Sequence, residues 1–404
     1  MLRMGSSIAV VILFLFSAAA AAGHYKHLDG ICKSMVVSQG YLCQEHKVIT
    51  DDGYVLSMQR LPADSSGSPA YKPPVLLQHG IMSDGSTWLF NDPDEALGFI
   101  LADNGYDVWI SNTRGTRHSQ GHTSLCPKDP AYWNWSWDEL AAHDLPAMFN
   151  YIHNQTAQKI YFVGHSLGTL TMMAALSQDK LLNMTGGAGF LSPIAYLSHT
   201  TSSCCRAASD LFLSEEFYWL GLHELIPGGV ATTKLLKDIC TKPEINCTDI
   251  MSAFTGPNCC INSSRTNDFL DHEPQPTATK NAIHLSQMLR TGNIAMYDYG
   301  NIIENMEHYN QLTPPAYDLT MIPNDIPLFL AFGEKDMLAD LQDVHMLLEK
   351  LKYHDLEKLV LLKIEDYAHA DFVFGENANE KVYDPLMDFL DSIDEFRRVK
   401  KVKA

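Results

Sequence analysis

A mostly parallel α/β sheet, with helices on both faces and an inserted helical cap or lid, is the fold class this sequence predicts. Three observations predict it. Short runs of apolar, β-branched and aromatic residues alternate with longer stretches of helix formers, the pattern of strands buried on both faces. One of these runs passes through Gly164-His165-Ser166-Leu167-Gly168 directly into a helix-forming segment. The alternation stops between about Leu197 and Asn310, and then resumes.

The elements follow in chain order. Arg3, the apolar run from Ile8 to Phe16 and the alanines up to Ala22 read as an export signal, too short to span a bilayer and cleaved near Ala22. No later stretch approaches spanning length, so no stable transmembrane anchor is expected. Cys32 and Cys43 bracket a segment that a disulfide could staple. Glu45 to Arg60 reads as a hairpin turning at Asp52-Gly53. Ala63 to Pro74 is a proline-rich surface loop. Val75 to Gly80 is a buried strand ending in His79-Gly80, Phe99 to Asp103 a helix, and Tyr106 to Ser111 the next strand. A helix from Trp137 to Tyr151 precedes the strand Ile160–Val163 and the helix that starts after Ser166. Gly186 to Pro193 closes this half as a short strand.

The cap then holds six of the nine cysteines and two of the five N-x-S/T sequons. Its helical stretches are Ala207 to Leu222, with bulky residues including Leu211, Phe212, Trp219 and Leu220, then Lys234 to Ile239 and Thr279 to Arg290. Strand Ile326–Gly333, helix Leu341–Leu351, strand Leu359–Ile364 and an amphipathic helix from Glu380 to Arg397 complete the chain. The expected organisation is a signal at 1–22, core at 23–196, cap at 197–310 and core again at 311–404.

Composition narrows the function classes. With 29 basic against 48 acidic residues the net charge is −19, which disfavours nucleic acid and anionic membrane surfaces and suits a neutral substrate. None of the cysteines forms a C-x-x-C redox or zinc pattern, so disulfides are the expected use. The candidate glycosylation sites are Asn134, Asn154, Asn183, Asn246 and Asn262. Asn134 lies among Trp133, Trp135 and Trp137 and is expected to be occluded. Signal, cysteines and sequons together predict a secreted protein or one of an endomembrane lumen, extracellular or vacuolar/lysosomal.

The chemistry starts at Ser166. In G-x-S-x-G a strand becomes a helix within very few residues, which needs small neighbours and presents the hydroxyl outward. A serine hydroxyl attacks only when a base takes its proton and a third group orients that base. On a parallel sheet such groups sit beyond the carboxyl ends of strands. Strand Ile326–Gly333 ends in Glu334-Lys335-Asp336, and strand Leu359–Ile364 leads to His369. Asp336 is preferred over Glu334 and Asp340, and His369 over His354, which precedes its strand. The order Ser166, Asp336, His369 is that of α/β-hydrolases. The oxyanion would be met by the backbone amides of Leu167 and Ile81. His79 and His165 are expected to pack loops, and Ser166 as a mere helix cap is the bland alternative.

These residues carry a resemblance. Asp52-Gly-Tyr-Val-Leu, Leu77-Gln-His-Gly, Ile100 to Trp109, Asn112-Thr-Arg-Gly, Gly164-His-Ser-Leu-Gly, Asp336-Met-Leu-Ala-Asp340 and His369-Ala-Asp-Phe372 resemble the acid lipase family, typified by gastric and lysosomal acid lipases, and most of all its triacylglycerol lipase-like plant members. The likeness runs from about Tyr41 to Phe396. It implies hydrolysis of triacylglycerols or sterol esters at a lipid–water interface beneath a movable lid. It implies a nucleophile at Ser166, an acid at Asp336, a base at His369, oxyanion amides at Ile81 and Leu167, and no metal or organic cofactor. Leu167 stands where the animal members carry glutamine; only its amide is used. A sterol-ester or short-chain carboxylesterase would use the same groups under a different cap. A catalytically silent binding protein would need this machinery idle, and a peptidase is a weaker reading. Activity at acid pH would require surroundings that depress His369 below the ordinary histidine value of about 6.5.

Overall fold

Strand order fixes where a site can form. The computed structural model describes residues 30–225 and 247–403. The expected signal, the helix at Lys234–Ile239, Cys240 and Asn246 lie outside the described residues. The main sheet contains β1 (Gln44–Ile49), β2 (Tyr54–Leu61), β3 (Pro74–Gln78), β4 (Asp107–Ser111), the short β5 (Gly121–His122), β6 (Ile160–His165) and β7 (Thr185–Leu191). A small pair, β8 (Glu224–Leu225) with β9 (Thr277–Ala278), stands apart, and β10 (Leu328–Gly333) and β11 (Leu359–Ile364) finish the main sheet. Its order is β1-β2-β4-β3-β6-β7-β10-β11, with β5 against β2. From β4 to β11 all neighbours are parallel, and β1–β2 and β2–β4 are antiparallel.

From β3 the chain moves to β4 on one side, then returns to β6 on the other. The carboxyl ends of β3 and β6 therefore flank a topological switch point, where adjacent loops diverge and leave a crevice.

Alternate residues of the central strands face opposite layers. Leu76, Phe162 and Leu330 pack with the helices Leu145–Thr156, Leu167–Ser177 and Leu341–Lys350. Val75, Leu77, Val163 and Ala331 pack with the helix Leu97–Asp103 and the C-terminal helix Asp384–Lys403. Glycine in β7 permits the second layer. A Cβ on Gly187 would stand 2.6 Å from Ile393 Cδ1, and one on Gly189 2.8 Å from Leu386 Cδ1.

The strands fall where the apolar runs put them, and the Cys32–Cys43 disulfide is present. Two helices differ. The expected helix Trp137–Tyr151 contains a π-turn at Leu140–Asp144. Its last residue, Asp144, is buried and accepts from the Nε and backbone N–H of Arg114, whose guanidinium also pairs with Asp52. That partner comes from a distant loop, invisible to local propensity. The expected helix Ala207–Leu222 is two helices, Ser203–Asp210 and Leu213–Trp219, broken at Phe212 with φ 52°. Arg290 donates to the Ser209 carbonyl at 2.8 Å and lies 4.2 Å from the Phe212 ring centroid, which caps the first helix.

Asn134 also departs from expectation. It is exposed: Trp133, Trp135 and Trp137 are buried, whereas Asn134 stands at the end of the short helical turn Pro130–Trp133 and accepts from Lys280 Nζ at 3.1 Å. Among the described thiols Cys126, Cys204 and Cys205 are free, while Cys259 and Cys260 are bonded to each other.

Between β7 and β10 the described helices are Ser203–Asp210, Leu213–Trp219, Cys247–Thr255, Thr266–His272, Thr279–Thr291 and Ile302–Tyr309. No helix among the described residues is long and apolar enough to cross a membrane.

Candidate active site

The elbow after β6 is tight for reasons that can be measured. Ser166 has φ 55° and ψ −121°, outside the helical region, and the helix begins at the next residue. Such backbone costs on the order of 1–3 kcal/mol and persists only where packing over-determines it. A Cβ on Gly164 would lie 2.9 Å from the Gly168 carbonyl carbon, and one on Gly168 2.6 Å from the Gln78 carbonyl oxygen. A Cβ on Gly80 would lie 3.0 Å from that of Ser166. Glycine at these positions lets the elbow close and lets the loop after β3 come against it.

Ser166, from β6, meets side chains from the ends of β10 and β11. Ser166 Oγ lies 2.8 Å from His369 Nε2, and His369 Nδ1 lies 2.8 Å from Asp336 Oδ2. The other Asp336 oxygen accepts the backbone N–H groups of Leu338 and Ala339, each at 2.8 Å. With Asp336 accepting from Nδ1–H, Nε2 is left as the acceptor for the serine proton. All three side chains are buried.

The alternatives are elsewhere. Glu334 pairs with Lys363 at the surface, and Asp340 caps the helix Leu341–Lys350 through the Gln342 N–H. His354 bonds the Ile326 carbonyl below the start of β10, and burial lowers its pKa.

His79 and His165 organise loops. His79 Nε2 accepts the Thr113 N–H at 3.1 Å. His165 is pushed down to about 3, chiefly by burial and then by His369, and so stays neutral. Its Nε2–H donates to the His369 carbonyl at 2.9 Å, and the Ser192 hydroxyl donates to the same oxygen at 3.3 Å.

Leu167 occupies the first turn of its helix, where N–H groups have no intrahelical acceptor. With Gly80 and Ile81 it lines a small recess, which Trp135, Leu140 and Thr277 also line. The loop carrying Ile81 is held from the β7–β10 connection. Met82 O accepts the Gln275 N–H at 2.7 Å, and Glu273 Oε1 accepts the Asp84 N–H at 3.1 Å. Burial, and then the Asp84 carboxylate, push the Glu273 carboxyl well above its usual range. Nothing local marks Glu273, because its partner lies far away in sequence.

Two groups of described side chains have metal-ligand spacing, Asp51–Asp52–His143 and Cys259–Cys260–Asp371. In the first, Asp52 is engaged by Arg114 and His143 by Asp51. In the second the sulfurs are bonded to each other.

A parallel sheet with a strained serine elbow at its switch point, and histidine and acid delivered from later strands, defines the α/β-hydrolase class. The sequence pattern described as a partial alpha/beta-hydrolase lipase region matches residues 32–92, and that of the alpha/beta hydrolase fold matches residues 73–195. Triacylglycerol lipase 2 of Arabidopsis thaliana is 48% identical over 89% of this chain and 87% of its own. Triacylglycerol lipase 1 of the same plant is 39% identical over 95% and 96%, and human gastric triacylglycerol lipase 33% over 88% and 89%. A soluble variant of monoglyceride lipase from Saccharomyces cerevisiae shares the fold, with a TM-score of 0.55, 13% identity and coverage of 92% of this chain and 99% of that one. The chain belongs to the acid lipase family of α/β-hydrolases.

Proposed function

We propose that this lipase cleaves acyl esters of neutral lipids, triacylglycerols above all, through an acyl-enzyme on Ser166. The observation that carries the reading is the hydrogen-bonded chain from Ser166 through His369 to Asp336. Ser166 Oγ attacks the ester carbonyl as His369 Nε2 takes its proton. Asp336 holds the reactive tautomer and balances the charge that forms on the ring. The tetrahedral oxyanion is met by the amides of Ile81 and Leu167, in place before the charge develops. His369 returns the proton to the leaving alcohol, and a water activated by the same ring then releases the fatty acid.

The substrate comes from a lipid–water interface. Leu211, Phe212, Trp219 and Leu220 are exposed near one another in the chain, from 48% for Phe212 to 81% for Trp219. Scattered apolar side chains need no explanation, but a bulky group on one short segment suits contact with lipid. The buried hydroxyl and the small recess support a covered site that opens before a long acyl chain enters. Secretion, or delivery to an endomembrane lumen, agrees with the amino-terminal apolar run, the Cys32–Cys43 bridge and the sequons at Asn134, Asn154, Asn183 and Asn262, of which the first three asparagines are exposed.

The test is release of fatty acid from emulsified triolein between pH 4 and 8, beside hydrolysis of soluble short-chain and sterol esters. Preference for the emulsion is the expected result. Cleavage of soluble esters alone would replace the lipid substrate with a small one, and no hydrolysis of any acyl ester would overturn the reading.

A further inference from the structure

We infer that Asp371 is a positioning residue for His369, and that the bonded pair Cys259–Cys260 presents the amides through which the β7–β10 connection holds it. The inference rests on the assignment of His369 as the base.

The carboxylate of Asp371 is fully buried and accepts three backbone N–H groups. Oδ2 takes that of Ala368 at 2.8 Å and that of Cys259 at 3.2 Å. Oδ1 takes that of Cys260 at 3.1 Å. Ala368 directly precedes His369, so one carboxylate ties the histidine loop to a segment more than a hundred residues earlier.

The same segment grips that loop twice more. The His369 N–H donates to the Thr255 carbonyl at 3.2 Å, and the Ala370 N–H to Asn258 Oδ1 at 3.2 Å. Thr255 O also accepts the N–H of Met337, the residue after Asp336, at 3.2 Å. A single carbonyl therefore spans the loop of the acid and the loop of the base. Gly256 makes this approach possible: at φ +106° a Cβ would lie 2.1 Å from the Lys335 carbonyl oxygen.

An amide pair aimed at one carboxylate needs a fixed local backbone. The bond between neighbouring cysteines closes a small ring around their shared peptide, which restricts how the two N–H groups can turn. Cys259 is exposed while its amide faces the buried acid, so the bond is open to thiols from outside. A dithiol reductant would supply two electrons and two protons. The S–S bond would break, two S–H groups would form, and the reductant would close its own disulfide. The amides would then be freer and His369 less tightly placed.

The experiment compares wild type, Asp371→Asn and the double variant Cys259→Ala/Cys260→Ala in the full chain. A fluorophosphonate reports the reactivity of Ser166, and kcat and KM are read on a soluble short-chain ester. Asparagine keeps one acceptor oxygen and loses the other. We expect labelling and kcat to fall roughly 10- to 100-fold in Asp371→Asn and several-fold in the double variant, with KM changed less than twofold, since a 1 Å misplacement can cost about that much. Wild-type labelling and kcat retained in both variants would overturn the proposal. A wild-type chain that is not labelled at Ser166 would instead overturn the assignment beneath it. If Asp371→Asn loses cooperative unfolding, the double variant decides by the same criterion, a fall in kcat at constant KM supporting the proposal and no fall overturning it.

Discussion

Every residue of β3, β6, β7 and β10 is buried, whereas the helix Leu213–Trp219 in the connection between β7 and β10 has no buried residue at all. The strands are covered on both faces by apolar side chains, and their geometry follows from continuous hydrophobic runs. The helix is held through its neighbours by the Arg290–Glu215 ion pair and the Arg290 bond to Ser209. The two regions contribute differently. The strand ends deliver Ser166, Asp336 and His369 to one place, while the connection reaches their loops through a few polar joints that can be changed without taking the sheet apart.

The largest expected effect tests the sheet side of this contrast. Ser166→Ala and Asp336→Asn should each lower kcat by about 10⁴-fold or more on any ester, with the unfolding midpoint of Ser166→Ala little changed because alanine keeps the Cβ and with it the backbone strain. An active Ser166→Ala variant would move the nucleophile elsewhere. A joint between the two regions should show a smaller effect. Glu273→Ala removes the acceptor for the Asp84 amide and should destabilise the fold by about 1–3 kcal/mol while lowering kcat, measured by urea unfolding and ester hydrolysis.

A second joint gives a pH dependence with a definite sign. Asp138 accepts from the Tyr317 hydroxyl at 2.7 Å and the Tyr297 N–H at 2.8 Å, and burial pushes its carboxyl up to about 7. Its folded value exceeds the unfolded value of 3.8, so its contribution is fully present below 3.8 and is lost as the pH rises through about 7. Glu273 shifts in the same direction. Thermal midpoints should therefore fall by a few degrees between pH 5 and 8, and Asp138→Asn should flatten that slope. A steeper slope in the variant would contradict the assignment.

The smallest effect on stability belongs to the exposed segment. Trp219→Ser should change stability by less than about 0.5 kcal/mol, because a side chain 81% exposed has little packing to lose. Hydrolysis of emulsified triolein should fall several-fold with soluble-ester activity intact. Equal loss on both substrates would place Trp219 in the acyl path rather than at the lipid surface.

The same contrast explains what could be read from the sequence. The strand runs Val75 to Gly80 and Ile160 to Val163 are legible because a strand buried on both faces is apolar along its length, and the elbow because a Cβ at Gly164 or Gly168 would collide with its neighbours. Strand ends then narrowed the partners of Ser166 to Asp336 and His369, which the fold brings within hydrogen-bonding distance. Other features had no local signature. The break at Phe212 depends on Arg290, the π-turn ending at Asp144 on Arg114, and the grip on the histidine loop on Thr255, Asn258 and the Cys259–Cys260 pair. Each is a contact across a long stretch of chain. Asn134 differs for a simpler reason: the neighbouring tryptophans are buried, but Asn134 stands at the end of the turn Pro130–Trp133 and stays exposed.

The most direct test of acyl transfer through Ser166 is the mass of the intact protein after reaction with a fluorophosphonate, followed by peptide mapping. One adduct, on Ser166, lost in His369→Ala and accompanied by loss of triolein hydrolysis, is the predicted result. An adduct on another residue, or full lipase activity in protein modified at Ser166, would contradict it.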